Sequence, residues 1–153
     1  MKKLREIRDH LVGAVPSLKK NPDRLHVYVE KGSIACRYGN LCFQYGYEVK
    51  IMVEDYADHA DTLIIPLLAW IATNQPSLLL DGDQPDNVIR IEAEIIDHDK
   101  TDILLTIDNI TERVIVTEAA GIYTATHCAE PPMADLLGPT GWSMEAGGVE
   151  VTP

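Results

Sequence analysis

Large hydrophobic residues recur at every second position from Leu41 to Val53. Leu41, Phe43, Tyr45, Tyr47, Val49, Ile51 and Val53 fall on one face, with Cys42, Gln44, Gly46, Glu48, Lys50, Met52 and Glu54 between them. A period of two marks a half-buried strand. At ~3.3 Å per residue the run from Leu41 to Val53 spans about 43 Å, whereas a typical strand holds about five or six residues. So long a strand outruns the core of a small domain, and a neighbouring subunit is a natural source of cover for the rest. A helix follows, starting between Asp58 and Thr62 and ended by Pro76. Its residues Leu63, Ile64, Ile65, Leu67, Leu68, Trp70 and Ile71 wrap nearly all round, so it needs cover on more than one side. Pro66 fits the first turn, where its missing N–H costs little, and would bend the helix further in.

The other elements follow from the same periods. Leu4, Ile7, Leu11, Val12 and Val15 share one face of an amphipathic helix from Lys2 to Val15, stopped by Pro16. Leu25, Val27 and Val29 alternate in a short strand, with a second short strand at Ser33–Arg37 and a hairpin turn at Tyr38-Gly39-Asn40. Ile89, Ile91, Ala93 and Ile95 pair with Ile103, Leu105 and Ile107 as one hairpin, and 110–117 with 122–127 as another, joined through Ala119-Ala120-Gly121. The order helix, strands, helix, strands predicts an α+β fold, a mainly antiparallel sheet with two principal helices packed on it. One domain is expected over residues 1–130. Residues 131–153 are rich in Pro and Gly, have no period, and are expected to be flexible or ordered by a partner.

Composition fits a globular protein, with 46% hydrophobic and 24% charged residues in a chain of 153. The apolar run Leu63–Ala72 is too short to cross a bilayer, and the N-terminus is a poor secretory signal because Glu6 and Asp9 interrupt it. These features predict a protein made and assembled in a cytoplasm. The net charge of −11 is unevenly placed. Residues 1–31 hold eight Lys/Arg against four Asp/Glu, a net of +4, and the remainder holds five against twenty, a net of −15. An acidic body repels phosphate, which argues against nucleic-acid binding, sequence-specific recognition included.

No chemistry stands out. The three cysteines include no CxxC, and Cys36 and Cys42, flanking the hairpin turn, are expected to be buried thiols rather than a disulfide or metal pair. Asp97-His98-Asp99 reads as a turn, not a cation site. Asp81, Asp83 and Asp86 resemble the start of a calcium loop but lack its bidentate Glu. Gly141-Trp142-Ser143-Met144-Glu145 departs from GxSxG at its last position. No catalytic residue, cofactor or metal is expected. Trp70 reads as core, and Trp142, an aromatic in a loose tail, is a candidate docking anchor.

Four segments in order, NPDRLHVYVEKGSI, FQYGYEVKIMVEDYA, IIPLLAWIATNQPSLL and IRIEAEIIDHDKTDILLTIDNITERVIV, resemble the phage tail completion protein R family of contractile-tailed phages. The likeness covers about residues 1–130. Its most specific pieces are PDRLHV, PLLAW with the QP after it, and TERV. The resemblance implies a structural protein that finishes a tail at its head-proximal end, where growth stops and the head is attached, in a phage, a prophage or a tail-like bacteriocin. It implies no enzyme and no cofactor.

A six-fold tail suits a closed heterologous ring, here a hexamer. The expected partners are other copies of the chain, tail tube or sheath proteins, and a head-completion or connector protein. The expected contact residues are Phe43, Tyr45, Tyr47, Val49, Ile51, Ile64, Leu67, Trp70 and Trp142. Two rival readings stay open on the sequence, a tail-assembly chaperone absent from the finished particle and a small cation-dependent hydrolase using Asp81, Asp83 or Asp97.

Overall fold

The N-terminal amphipathic face forms a helix, α1 (Lys2–Ala14), followed by a short helix α2 (Pro16–Lys20) and a 3-10 turn at Pro22–Arg24. The structure, a computed structural model, describes residues 1–80, 88–97 and 99–130, and the backbone alone of 144–146 and 149–151. Next come β1 (Leu25–Cys36), β2 (Phe43–Tyr56), α3 (Asp61–Asn74), α4 (Ser77–Leu80), β3 (Ile89–Ile95), β4 (Thr101–Ala119) and β5 (Ile122–His127). Two short strands, β6 (Met144–Ala146) and β7 (Val149–Val151), pair antiparallel in a segment for which the sequence predicts no regular element.

The main sheet has the order β1-β2-β4-β3, with β5 also on β4, and every pairing is antiparallel. The alternating strand of the sequence is β2, fourteen residues long. Both predicted hairpins, β3–β4 and β4–β5, are present, but they share one strand of nineteen residues. The sequence suggests a break at Asp108-Asn109, and these residues instead form a bulge. Tyr47 pairs with Ile110 and Val49 with Ile107, so Glu48 faces two residues of β4, and Asn109 takes a φ of 60°. Asn tolerates this left-handed backbone better than most residues. The extra residue shifts the parity of β4, so buried Ile103, Leu105 and Ile107 are followed by buried Ile110, Glu112 and Val114.

A second bulge lies at the same level on the other side of β2. Val29 pairs with Val49 and Lys31 with Glu48, which leaves Glu30 extra. The two short strands expected at 25–30 and 33–37 are therefore one strand, bent at Glu30. The β4–β5 turn has positive φ at both Ala120 and Gly121 (53° and 81°), the backbone of a tight hairpin turn that matches strand twist.

Helices cover one face of the sheet. Ile7 and Leu11 of α1, Leu18 of α2, and Leu63, Leu67, Trp70 and Ile71 of α3 pack with Val49, Ile51, Val53, Leu105 and Ile107 as one buried core. Helix α3 is covered on two sides as its composition requires, and His10 of α1 hydrogen-bonds the Pro66 carbonyl at 3.0 Å. Pro66 lies inside α3, beyond the first turn in which the sequence would place it. The other face of the sheet is polar. Lys50 lies 3.2 Å from Glu30, and Arg90 lies 3.2 Å from Glu48 and 2.9 Å from Asp108, a row of ion pairs across all four strands. The thiols correct an expectation. All three cysteines are free, as predicted, but Cys36 is exposed and Cys42 half-buried, because the hairpin carrying them extends past the helical layer.

Candidate functional site

The sheet and α1 are joined by a buried carboxylate. The parity shift in β4 aims Glu112 into the helix-covered face, where it is 3% exposed. Its two oxygens accept the backbone N–H groups of Lys2 at 2.7 Å and Lys3 at 3.1 Å. The first turn of a helix leaves such donors unpaired and carries a partial positive charge. No side chain of α1 itself caps that end, so the cap comes from a residue 110 positions away in sequence. The Tyr47 hydroxyl donates a further hydrogen bond to Glu112. His127 Nδ1 lies 2.9 Å from the other carboxylate oxygen without the alignment of a hydrogen bond. Its ring stacks on Tyr45, which meets Phe43 edge to face.

Electrostatics match this geometry. Burial acts to raise the Glu112 pKa, but the bonds from Tyr47 and the two backbone amides outweigh it and hold the carboxyl below its ordinary value. Burial, and after it the bond to Glu112, pushes the Tyr47 phenol well above its ordinary value. Burial also lowers the pKa of His10, partly offset by its bond to Pro66.

A second cluster adjoins the first. Lys3 is buried, and its ammonium bonds Gln75 Oε1 at 2.6 Å and Glu130 at 2.7 Å. Gln75 donates to Ser77 at 2.8 Å and to Thr111 at 3.1 Å, and accepts the Thr111 N–H at 3.3 Å. Together the clusters bind the N-terminus of α1, the C-terminus of α3, β4 and the chain after β5. Gln75 and the pair Thr111-Glu112 come from the QP and TERV segments that carry the family resemblance, and they meet here. The arrangement holds elements in place, and no group of three metal-ligating side chains occurs among the described residues.

The contact residues expected from the sequence divide. Tyr47, Val49, Ile51, Leu67 and Trp70 are buried inside the protomer, so its own helices already cover that part of the long strand. Phe43, Tyr45 and Ile64 are half-buried. Trp142 lies outside the described side chains, as do the Asp81–Asp86 loop, His98 and residues 131–143 of the C-terminal segment. Sequence reasoning missed Lys3, Gln75, Glu112 and His127. Lys3 and Glu112 carried a signal, since Lys3 lies four residues before Ile7 and Glu112 lies midway between Ile110 and Val114, both positions facing the core.

Beyond the helical layer no described element covers the sheet. The ends of the β1–β2 and β4–β5 hairpins expose Ile34, Tyr38, Leu41, Ile122 and Tyr123. An open groove of about 840 Å³ lies between the hairpins, lined by Cys36, Arg37, Tyr38, Leu41, Val116 and Tyr123. At the other side of the sheet, β3 exposes Ile91 and Ile95.

The fold and its site define a small α+β protein whose buried polar residues lock a helical layer onto a sheet that extends past it. Residues 1–131 match the model of the P2 phage tail completion protein R family. Over 127 residues the chain is 34% identical to the tail completion protein R of Escherichia phage P2, which covers 82% of this chain and 81% of that relative. Comparison with solved structures gives no significant match. The chain belongs to the phage tail completion protein R family, a family of structural tail proteins, and has a phage tail completion role. No described helix is long and apolar enough to cross a membrane.

Proposed function

We propose that this protein completes the tail as a closed ring, a hexamer, at the head-proximal end, where it stops tail growth and prepares the joining of the head. Its partners in this reading are its own copies, the tail tube or sheath protein below, and a head-completion or connector protein above. Assembly takes place in the host cytoplasm, and the role is architectural, with no catalytic step and no cofactor. Within the ring, Phe43, Tyr45 and Ile64 keep surface for a neighbour and Trp142 serves as an anchor. The buried candidates Tyr47, Val49, Ile51, Leu67 and Trp70 act through the rigidity of the framework.

The observation that carries the reading is the uncovered apolar end of the sheet. Ile34 is 64% exposed and Tyr123 65%. Monomeric proteins rarely leave a contiguous patch of such residues uncovered, and a tail-completion protein works against other tail subunits. Native mass spectrometry of the protein, with images of tails carrying it, tests the reading. A hexameric mass and a ring at the head-proximal end are expected. A strict monomer with one or two copies per tail would overturn it, and absence from purified particles would favour an assembly chaperone.

A further inference from the structure

We infer that Arg37 and Arg113 form a docking site for carboxylates of a second copy of this chain. The inference rests on the ring reading and names cations that hold neighbouring copies together. Past Lys31 the chain carries five basic residues against twenty acidic ones. Three of the five are engaged within the protomer, Lys50 by Glu30, Arg90 by Glu48 and Asp108, and Lys100 by Asp55. The other two, Arg37 and Arg113, form no ion pair among the described residues. Both line one groove of about 550 Å³, and no carboxylate lines it with them.

The strand ladders bring the two arginines to one place. Ala35 pairs with Gln44 and Gln44 with Arg113, a single row across β1, β2 and β4. Val114 is buried on the helical side, so Arg113 before it faces the opposite side. Glu112 adjoins Arg113 in the chain but turns to the helical side, where α1 and Tyr47 hold it. Arg37 follows the end of β1 at Cys36, two residues past Ala35, and Asn40 and Cys42 complete that end of the groove. Arg37 and Asn40 also border the larger groove, where Tyr38, Leu41, Val116 and Tyr123 offer apolar contact. Glu118 in that groove accepts the Gly121 N–H at 2.7 Å. A guanidinium presents a planar fork of donors that matches a carboxylate. The charge of the chain says where such carboxylates come from. Each copy carries a net −11, so copies repel one another unless cations stand at their contacts. The same acidic body repels nucleic-acid phosphate and leaves protein carboxylates as the occupant.

Two kinds of variant test the site. Arg37→Ser with Arg113→Ser removes both charges. Arg37→Lys and Arg113→Lys keep the charge and place an amine where zero-length coupling can join it to a facing carboxylate. All these side chains are exposed, and circular dichroism with thermal melting checks that each variant folds. Association is read by sedimentation and native mass spectrometry over ranges of concentration and salt. The double serine variant is expected to weaken association at least tenfold and to flatten its salt dependence, as loss of interfacial charge pairs does. The lysine variants are expected to retain most of the association. In mixtures of isotope-labelled and unlabelled protein, the introduced amine is expected to couple to an Asp or Glu of the other copy, and to do the same in purified tails. Unchanged association by the double serine variant at every salt concentration would overturn the site while leaving the ring standing. Coupling only within one chain, or only to a different tail protein, would overturn the second copy as occupant. Binding of a short oligonucleotide that the serine variant loses would reassign the groove to phosphate. A wild-type protein that is monomeric at every concentration, with one or two copies per tail, would overturn the ring itself.

Discussion

The Tyr47 hydroxyl on β2 donates to the Glu112 carboxylate on β4, and the same carboxylate caps the first turn of α1. One buried acid therefore serves three elements at once. Removing it leaves two backbone amides and a phenol without their partner in a dry site, and each unsatisfied group costs about 1–3 kcal/mol. Glu112→Ala is expected to destabilise the fold by about 3 kcal/mol or more. Glu112→Gln, which keeps the shape and one acceptor, is expected to cost less. Chemical denaturation at pH 7 measures both, and an unchanged midpoint for the alanine variant would remove Glu112 from its structural role.

The same residue sets a pH dependence. Its folded pKa lies below the ordinary 4.5, so its contribution is complete above that value and is lost as pH falls through the folded pKa. His10 adds a loss of the same sign at higher pH. Its folded pKa lies below 6.5, so the folded state resists protonation and stability falls as pH drops below 6.5. A two-stage acid limb in thermal melting is expected. His10→Asn should remove the upper stage and Glu112→Gln the lower.

Much of the architecture was legible in the sequence because each period of two or 3.6 had a face to bury. The long strand, α1, both hairpins and the α+β class follow from that rule. The fusion within β4 was not legible, since Asp108-Asn109 has the composition of a turn and only the ladder on both sides shows it to be a bulge. The buried polar cluster of Lys3 and Glu112 was legible only as two charged residues at core-facing positions. Their burial depends on partners at Gln75, Glu130 and Tyr47 that are far away in sequence. The exposed apolar residues Ile34, Leu41, Ile122 and Tyr123 lie further along the sheet than the residues the sequence singled out. The helices cover β2 from Tyr47 onward, and the uncovered part is the hairpin end before it.

Gly32 fits this arrangement for lack of a side chain. It pairs with Tyr47, and a Cβ at position 32 would lie 3.2 Å from the Tyr47 Cβ. Gly32→Val is expected to push Tyr47 off Glu112 and to cost about 1–3 kcal/mol, as overpacking does. Combining it with Tyr47→Phe should recover part of the loss, because the displaced hydroxyl is then absent. Equal, additive losses in a double-mutant cycle would show that the two sites do not interact.

The split between core and surface among the candidate contacts gives the last prediction. Leu67 is fully buried between α1 and the sheet, so Leu67→Ala is expected to cost about 2–5 kcal/mol in the isolated protomer. Ile34 and Ile95 stand in solvent there, so Ile34→Ser and Ile95→Ser are expected to change protomer stability by no more than about 0.5 kcal/mol. If tail completion is then assayed with each variant, Leu67→Ala should fail in proportion to its loss of folded protein and recover at lower temperature. The two serine variants should remain fully folded and still lower the yield of finished tails. Serine variants with unaltered yield would show that these exposed isoleucines meet no partner, whereas defects at full stability would separate assembly from folding at the same sheet.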